Sequence, residues 1–503
     1  MINNVLDYLE KNEQRCPEKT ALADTCVSIT YAQYADYARR IGTGIARAIK
    51  QTNMPVAVLI DRNVRSIYTF LGVVYSGNFY VPIDATMPIE RVQLILDTLQ
   101  PMAILDARDV CDGSFGAVSV DEYLDVSPDR LLLSKIRDNM IDIDPLYTIF
   151  TSGSTGVPKG VTVAHRSVID LLEAFEEAFN FTESTVWGNQ APFDFDVSVK
   201  DIYNALYVGG TVQIIPKKLF MSPVMLLEYI DEHNIDTLIW AVSALRIVSD
   251  FKALDKYTPK CLNNVMFSGE VMPVKSLNYW MENIENVRYV NLYGPTEITC
   301  NCTYYVIDRH FSPEEKIPAG KPFKNTRVYL RDESGHIIRP ENADVIGEIA
   351  VSGTCVACGY YNNEQKTSEA FVKDIGVSAY PGIMYATGDL GYYDNDGNIV
   401  FASRKDSQIK HMGHRIELGE IETALNAIED VTVACCVFDE EKGKIVCFYQ
   451  AQQECKKQIV DGLGKKLPKY MWPNIYVHYE QLPFNKNGKI DRVKLKKDYI
   501  ENR

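Results

Sequence analysis

The stretch Phe150-Thr-Ser-Gly-Ser-Thr-Gly-Val-Pro-Lys-Gly160 follows directly on the apolar, β-branched run from Tyr147 to Thr151. Residues this small leave backbone N–H groups and hydroxyls uncovered, so a loop of them after a strand can wrap phosphate oxygens. The spacing is not that of a Walker loop. After Gly153, four spacers lead to Pro158 where that loop has Gly, and Lys159 is followed by Gly160 where it has Ser or Thr. Taken alone, the segment leaves two readings open, a nucleotide site and an ordinary Ser/Gly turn.

Outward from this loop, short apolar runs recur at Val56 to Ile60, Ala103 to Leu105, Thr211 to Ile215, Thr237 to Trp240 and Asn264 to Phe267. They alternate with amphipathic segments of helix length, which predicts an α/β fold with largely parallel sheets. From about residue 326 the texture changes to strands punctuated by Asp332-Glu-Ser-Gly335 and Asp394-Asn-Asp-Gly397, which predict antiparallel hairpins. The polar stretch Ser403-Arg-Lys-Asp-Ser407 then precedes a new strand-helix unit from Ile409 to Ala427. The expected organisation is a large N-terminal domain over 1–403, with a β-rich subdomain at about 326–403. A hinge at 404–407 and a small mobile α+β domain over 408–503 complete it.

With 503 residues, 46% of them hydrophobic and 24% charged, the chain has apolar mass for several cores and is not disordered. No run of about 18 uncharged apolar residues occurs, and the opening residues Met1 to Lys11 carry charge where a signal peptide is apolar, so a cytoplasmic location is expected. The Cys355-x-x-Cys358 pair has no second pair at zinc spacing, and the 12 cysteines are expected to be reduced. A net charge of -15 disfavours binding to nucleic acid or to anionic membranes. The tail differs in character: Lys410 to Arg503 holds 16 basic and 14 acidic residues, a net +2.

Further motifs stand along the chain: Gly72 to Asp84 (GVVYSGNFYVPID), the loop above, Asn189 to Tyr203 (NQAPFDFDVSVKDIY) and Asn291 to Glu297 (NLYGPTE). Beyond them come Tyr385 to Gly391 (YATGDLG), Ser403 to Glu422 (SRKDSQIKHMGHRIELGEIE) and Asn487 to Asp491 (NGKID). On these residues the sequence resembles the adenylate-forming superfamily over essentially its whole length. Within it, the resemblance is to the amino-acid adenylation domains of nonribosomal peptide synthesis and the D-alanine carrier-protein ligases. The implied fold is that of acyl-adenylate-forming enzymes. The implied reaction uses ATP and Mg²⁺ to make an aminoacyl adenylate, releasing pyrophosphate, and then loads the phosphopantetheine thiol of a carrier protein.

The resemblance also implies site residues. Thr151, Ser152, Gly153, Ser154, Thr155 and Gly156 would hold phosphates, with Thr151, Lys159 and Lys489 catalytic. Asn291, Tyr293, Gly294 and Thr296 would bind the nucleotide, Tyr293 through its ring face and Thr296 at the α-phosphate, and Glu297 would ligate Mg²⁺. Asp389, helped by Arg404, would accept the ribose hydroxyls, as an ionised two-oxygen acceptor can. Lys489, with Lys486 as a rival in the same turn, is the compact charge suited to a developing pentavalent phosphorus. The pivot would be Asp406, and Gly413 would give a thiol arm close approach within the loop His411 to Arg415. The His411 and His414 spacing has no third metal ligand at a set distance.

The implied acyl pocket is Asp196, Val197, Lys200, Trp240, Met266, Ser268, Leu292, Cys300, Asn301 and Lys489. Asp196 would pair with a substrate α-ammonium and Lys489 with its carboxylate. An acyl-CoA ligase would leave the charge of Asp196 buried and unpaired, and a plain helix-start Asp is the other reading. A floor of Trp240 and Met266 implies a small substrate, and the polar groups of Lys200, Ser268 and Asn301 imply a hydroxylated or acidic one, such as serine or aspartate. An Asp196–Lys200 pair within one helix is the alternative, and D-alanine the alternative substrate. A non-catalytic nucleotide-binding homologue is disfavoured by the presence of Lys159, Glu297, Asp389 and Lys489. No Ser-centred attachment motif follows Lys489, so the expected partner is a separate carrier protein.

Overall fold

Val56-Ala-Val-Leu-Ile60 is apolar at every position because its strand, Pro55–Ile60, is buried along its whole length. It lies between Phe79–Asp84 and Ala103–Asp106, parallel to both, as continuous apolar runs in a two-sided α/β sheet require. The protein is described by a computed structural model covering residues 2–501, apart from Ser154, Thr155, Ser378 and residues 485–489. Lys489, Lys486, Ser154 and Thr155, named above as site residues, lie outside the described residues. The chain packs as two units: Met1–Asp84, Leu99–Ile149 and Gly160–Lys405 in the larger, Ala85–Thr98, Phe150–Lys159 and Asp406–Arg503 in the smaller.

The larger unit holds, among the described residues, sheets of nine, seven and six strands. In the first, Val186–Asn189, Thr237–Ala241, Asn264–Ser268 and Arg288–Tyr293 run parallel in that spatial order, and Thr303–Ile307 closes against the last of them antiparallel. Their C-terminal ends carry Asn189, Ser268 and Tyr293, so loops bearing polar residues gather at one end of a parallel array, where α/β sheets place ligands. Helix Val197–Val208 lies against this sheet. It stops at Gly209, whose φ of 80° suits a left-handed C-cap.

The six-stranded sheet is antiparallel, built on Thr326–Arg331, Gly347–Gly353, Ile383–Tyr393 and Ile399–Arg404. Its turns are those signalled by Asp-x-x-Gly: Gly335 and Gly397 both have φ in the left-handed region and donate back to Asp332 and Asp394.

The smaller unit has its own core, including Ile416, Ile421, Leu425, Ile445 and Leu463. A ribbon of Gln408–His411 and His414–Glu417 leads into helix Leu418–Asn426, which packs on the sheet Val433–Asp439, Lys444–Gln450 and Ile475–Tyr479. Two segments far away in sequence belong to this unit, the phosphate-type loop and most of helix Ile89–Leu99. Both fall in sequence within the expected N-terminal domain, 1–403. Arg91 and Glu420 form the ion pair that ties the helix in, with side chains only 6% and 1% exposed. Removing one partner of such a pair leaves a buried charge, at a cost of roughly 3–5 kcal/mol. Among the described residues no helix is long and apolar enough to cross a membrane.

Candidate active site

Strand Arg288–Tyr293 delivers Tyr293 to the edge of the larger unit's parallel array, and the chain then turns through Gly294-Pro295 into Thr296–Ile298. Gly294 is needed there: a Cβ would lie 2.6 Å from the carbonyl oxygen of Cys300 and 2.7 Å from Cα of Asn301. The Tyr293 hydroxyl donates to Asp389 Oδ2 at 2.6 Å, and Arg404 pairs with Oδ1 of the same carboxylate. Asp389 is 2% exposed. Burial, and then the Asp389 charge, push the Tyr293 phenol well above its ordinary range, so it remains a donor. Asn291 donates to the carbonyl of Pro318 at 2.7 Å. Thr296 and Glu297 are buried, and Glu297 Oε1 accepts from the Tyr360 hydroxyl at 2.8 Å.

Asp389 reaches this position through an irregularity in its strand. Ala350 pairs with Ala386 and Glu348 with Leu390, so four steps on Ile383–Tyr393 face two on Gly347–Gly353. The extra residues, Thr387-Gly-Asp389, bulge out, with Gly388 at φ 73°, and a bulge re-aims side chains in this way beside functional sites.

The expected acyl side lies on helix Val197–Val208. Asp196 stands at the N-cap position, yet its carboxylate makes no capping hydrogen bond. Its backbone carbonyl accepts from the Cys300 thiol at 3.0 Å. One turn along, Lys200 is 1% exposed, and its Nζ donates to Ser268 Oγ at 3.1 Å and to Asn301 Oδ1 at 2.8 Å. The side-chain amide nitrogen of Asn301, a residue 2% exposed, has no partner among the described residues. Thr299 and Cys300, just before it, both have positive φ, 59° and 73°, which costs a β-branched or bulky residue appreciable strain. Thr299 Oγ1 holds the turn by donating to the carbonyl of Cys355 at 2.7 Å.

Met266, Ser268 and Leu292 share one face of the sheet, since side chains alternate along strands and Met266 pairs with Val290. Trp240 is not brought to them. It pairs with Phe267, not with Met266, so it lies on the opposite face, where it packs at 5.3 Å on Phe220 and donates to the carbonyl of Gly188. The expected Trp240 floor is therefore replaced by Ile239, the register partner of Met266. Val197 is half-buried at the start of the pocket helix.

In the smaller unit, Ser152 donates through Oγ to the carbonyl of Arg415 at 2.7 Å, and Thr151 Oγ1 faces the carbonyl of Lys159 at 3.5 Å. Gly156 has φ 82°, the left-handed region that favours glycine, and turns the loop back on Gly153. Burial raises the Glu420 carboxyl, offset by Arg91 and by the Gly153 N–H that it accepts. Gly413, at φ 81°, forms the tip of the ribbon with Met412. His411 and His414 do not converge: His411 packs on Phe438 and His414 stacks at 3.6 Å on Tyr470. The Asp406 carboxylate accepts from the Gln408 N–H at 3.1 Å.

A family model described as AMP-binding enzyme matches residues 9–361, and one for the AMP-binding enzyme C-terminal domain matches 420–489. The chain belongs to the AMP-binding enzyme family. It is 30% identical over 506 residues to D-alanine--D-alanyl carrier protein ligase of Staphylococcus aureus, covering 98% of this chain and 99% of the relative. It is 32% identical to bacitracin synthase 1 of Bacillus licheniformis, over 97% of this chain but only 9% of the synthase. Together with 45% of tyrocidine synthase 1 of Brevibacillus parabrevis, this means the chain spans less than half the length of these synthases. In fold it is similar to holo-PA1221, an NRPS protein containing adenylation and PCP domains, with a TM-score of 0.85, 24% identity, and coverage of 99% of this chain and 84% of that one. The acyl-adenylate-forming architecture expected from the motifs is thus the fold of this AMP-binding enzyme.

Three features of this family member escaped the sequence reading. Asp201 is fully buried, accepts from Asn189 at 2.9 Å, and is pushed up to about 7 by burial, against the pull of Asn189, Lys200 and Arg62. Glu348 lies under the Asp389 bulge, and Arg91 meets Glu420. Glu348 is a carboxylate inside an otherwise apolar strand, which was the available signal, whereas Asp201 and Arg91 stand next to the charged Lys200 and Glu90 and gave none. Their partners lie 12 to 329 residues away, a distance no local pattern spans.

Proposed function

We propose that the protein is an ATP-dependent amino-acid adenylating ligase that loads a separate carrier protein. The substrate carboxylate oxygen forms a bond to the α-phosphorus of ATP, and the bond to pyrophosphate breaks. A phosphopantetheine thiolate then bonds to the acyl carbon, and AMP leaves. The observation that carries this reading is the buried cluster of Tyr293, Asp389 and Arg404, four residues from the buried carboxylate of Glu297. It offers a carboxylate to two vicinal hydroxyls and fixes an aromatic ring next to it.

A single buried carboxylate suits Mg²⁺, which keeps most of its shell as water and phosphate oxygen. Glu297 would hold the ion, and the bound metal would neutralise charge on the phosphates. Lys489 is assigned the transition-state cation and Thr151 and Lys159 the loop contacts. Asp196 takes the α-ammonium, and Asp406 is the pivot between the half-reactions.

For the side chain, the unpartnered amide donor of Asn301, beside Lys200 and Ser268, supports a substrate whose side chain brings an acceptor oxygen. That favours aspartate or serine over an alkyl amino acid. D-alanine is the second reading, favoured by the full-length similarity to the staphylococcal ligase. Amino-acid-dependent pyrophosphate exchange, run over both enantiomers of every amino acid, tests both. Strongest turnover of alanine, unaltered in preference by Lys200→Ala, overturns the polar reading. Lys489→Ala is expected to abolish exchange while ATP still binds. Asp406→Pro should leave exchange intact and block carrier loading, because a fixed φ hinders rotation.

A further inference from the structure

Glu348 is 5% exposed and lies opposite the bulge that carries Asp389. Its Oε1 accepts the backbone N–H of Gly388 at 3.1 Å. Its Oε2 accepts from Arg331 Nε at 2.9 Å and pairs with Lys405 Nζ at 3.0 Å. The Lys405 backbone N–H in turn donates to the carbonyl of Gly388 at 2.9 Å. Lys405 is the last residue of the larger unit, and Asp406 is the first of the final segment of the smaller one.

One carboxylate therefore fastens two things. With one oxygen it holds the bulge whose next residue is Asp389, and with the other it holds the residue at which the chain leaves the unit. Arg331, from the neighbouring strand, keeps this carboxylate ionised. Despite its burial, the Glu348 carboxyl is held below its usual range by Lys405 and Arg331. Because Gly388 has φ 73° and belongs to the irregular stretch of the ladder, few sheet bonds constrain it, and the Glu348 contact supplies what the ladder does not.

We propose that Glu348 is a positioning residue that couples the ribose-side carboxylate Asp389 to the interdomain joint at Lys405. The proposal rests on the nucleotide reading of Asp389 given above. A bulge pinned by Glu348 presents Asp389 at one depth, and the same pin sets where the pivot begins. Loosening it moves both.

Glu348→Gln preserves shape, but its single oxygen cannot serve both Gly388 and Lys405, and its amide turns a donor toward cations. In pyrophosphate exchange we expect the KM for ATP to rise about tenfold with the KM for the amino acid unchanged, the scale of one lost charge-assisted hydrogen bond. In the intact protein, trypsin should cut after Arg404 or Lys405 several-fold faster than in the wild type. Lys405→Met leaves the bond to Gly388 in place, so it should speed cleavage after Arg404 while the KM for ATP stays within about twofold. The proteolysis requires no catalysis, so it reports on the joint even if no amino acid is activated, and failure of the nucleotide reading is thereby told apart from failure of the coupling. The proposal is overturned if Glu348→Gln leaves proteolysis unchanged, if it speeds proteolysis without raising the KM for ATP although Asp389→Ala does raise it, or if both KM values rise together with a general loss of protease resistance.

Discussion

The proposed ribose-side cluster around Asp389 and the proposed acyl pocket around Lys200 occupy the same unit, yet their hydrogen bonding differs. Around Asp389 each carboxylate oxygen already has a protein donor, Tyr293 on one and Arg404 on the other. Around Lys200, the Asn301 amide has a donor with no partner among the described residues, although it is 2% exposed. A cluster complete in itself keeps its shape whatever the acyl group, which suits a part of the reaction common to all substrates. A cluster with an unmatched donor is completed only by a ligand that supplies an acceptor, and an unmade buried hydrogen bond costs about 1–3 kcal/mol. The proposed function thus assigns selectivity to the donor left unmatched among the described residues.

The most severe way to break this contrast is Asp389→Ala. It removes the common part, so exchange should fall by at least about a hundredfold for every amino acid, with their rank order unchanged. A change in rank order would show that the two clusters are not separable. Next in size, Lys200→Met should cost the preferred polar amino acid about ten- to a hundredfold in kcat/KM and alanine little, narrowing selectivity from the other side. Equal losses for both would deny Lys200 a part in selection.

Asp201 gives a pH-dependent test. Its folded pKa, about 7, is raised above the ordinary 3.8 by burial. The stability it contributes is therefore complete below its unfolded pKa and is lost as pH rises through about 7. Asp201→Asn should then raise the free energy of unfolding, and with it Tm, relative to the wild type at pH 8, by roughly a few kcal/mol at most, and the advantage should vanish near pH 4. A difference in Tm that does not vary with pH contradicts the shift. Smallest of all, Ser268→Ala should raise the KM for a polar substrate only a few-fold, since Lys200 keeps its bond to Asn301.

The parallel strands were legible because buried strands show as unbroken apolar runs, and Pro55–Ile60 is such a run. The hairpins after residue 326 were legible through Asp332 to Gly335 and Asp394 to Gly397. Tyr293, Asp389 and Arg404, scattered over 112 positions, do meet, with hydrogen bonds that link all three. Trp240 was misplaced for a definable reason. Whether a strand residue faces one side or the other is a matter of parity, and parity is fixed by register with Met266 and Val290, which a single chain does not reveal. Glu348 and Arg91 were passed over because their partners come from distant segments.

The paired left-handed residues Thr299 and Cys300 bear on how this pocket can diversify. Position 300 borders the proposed acyl site, so randomising it looks like a route to new substrates. Its φ of 73° admits glycine freely and asparagine tolerably, while branched side chains meet a backbone penalty before any ligand arrives. A library at this position is consequently filtered by folding ahead of chemistry, and the accessible variants cluster near Gly and Asn. Asn301, next to it with the unmatched donor, inherits the same turn, so the two positions cannot be varied as independent letters of a specificity code.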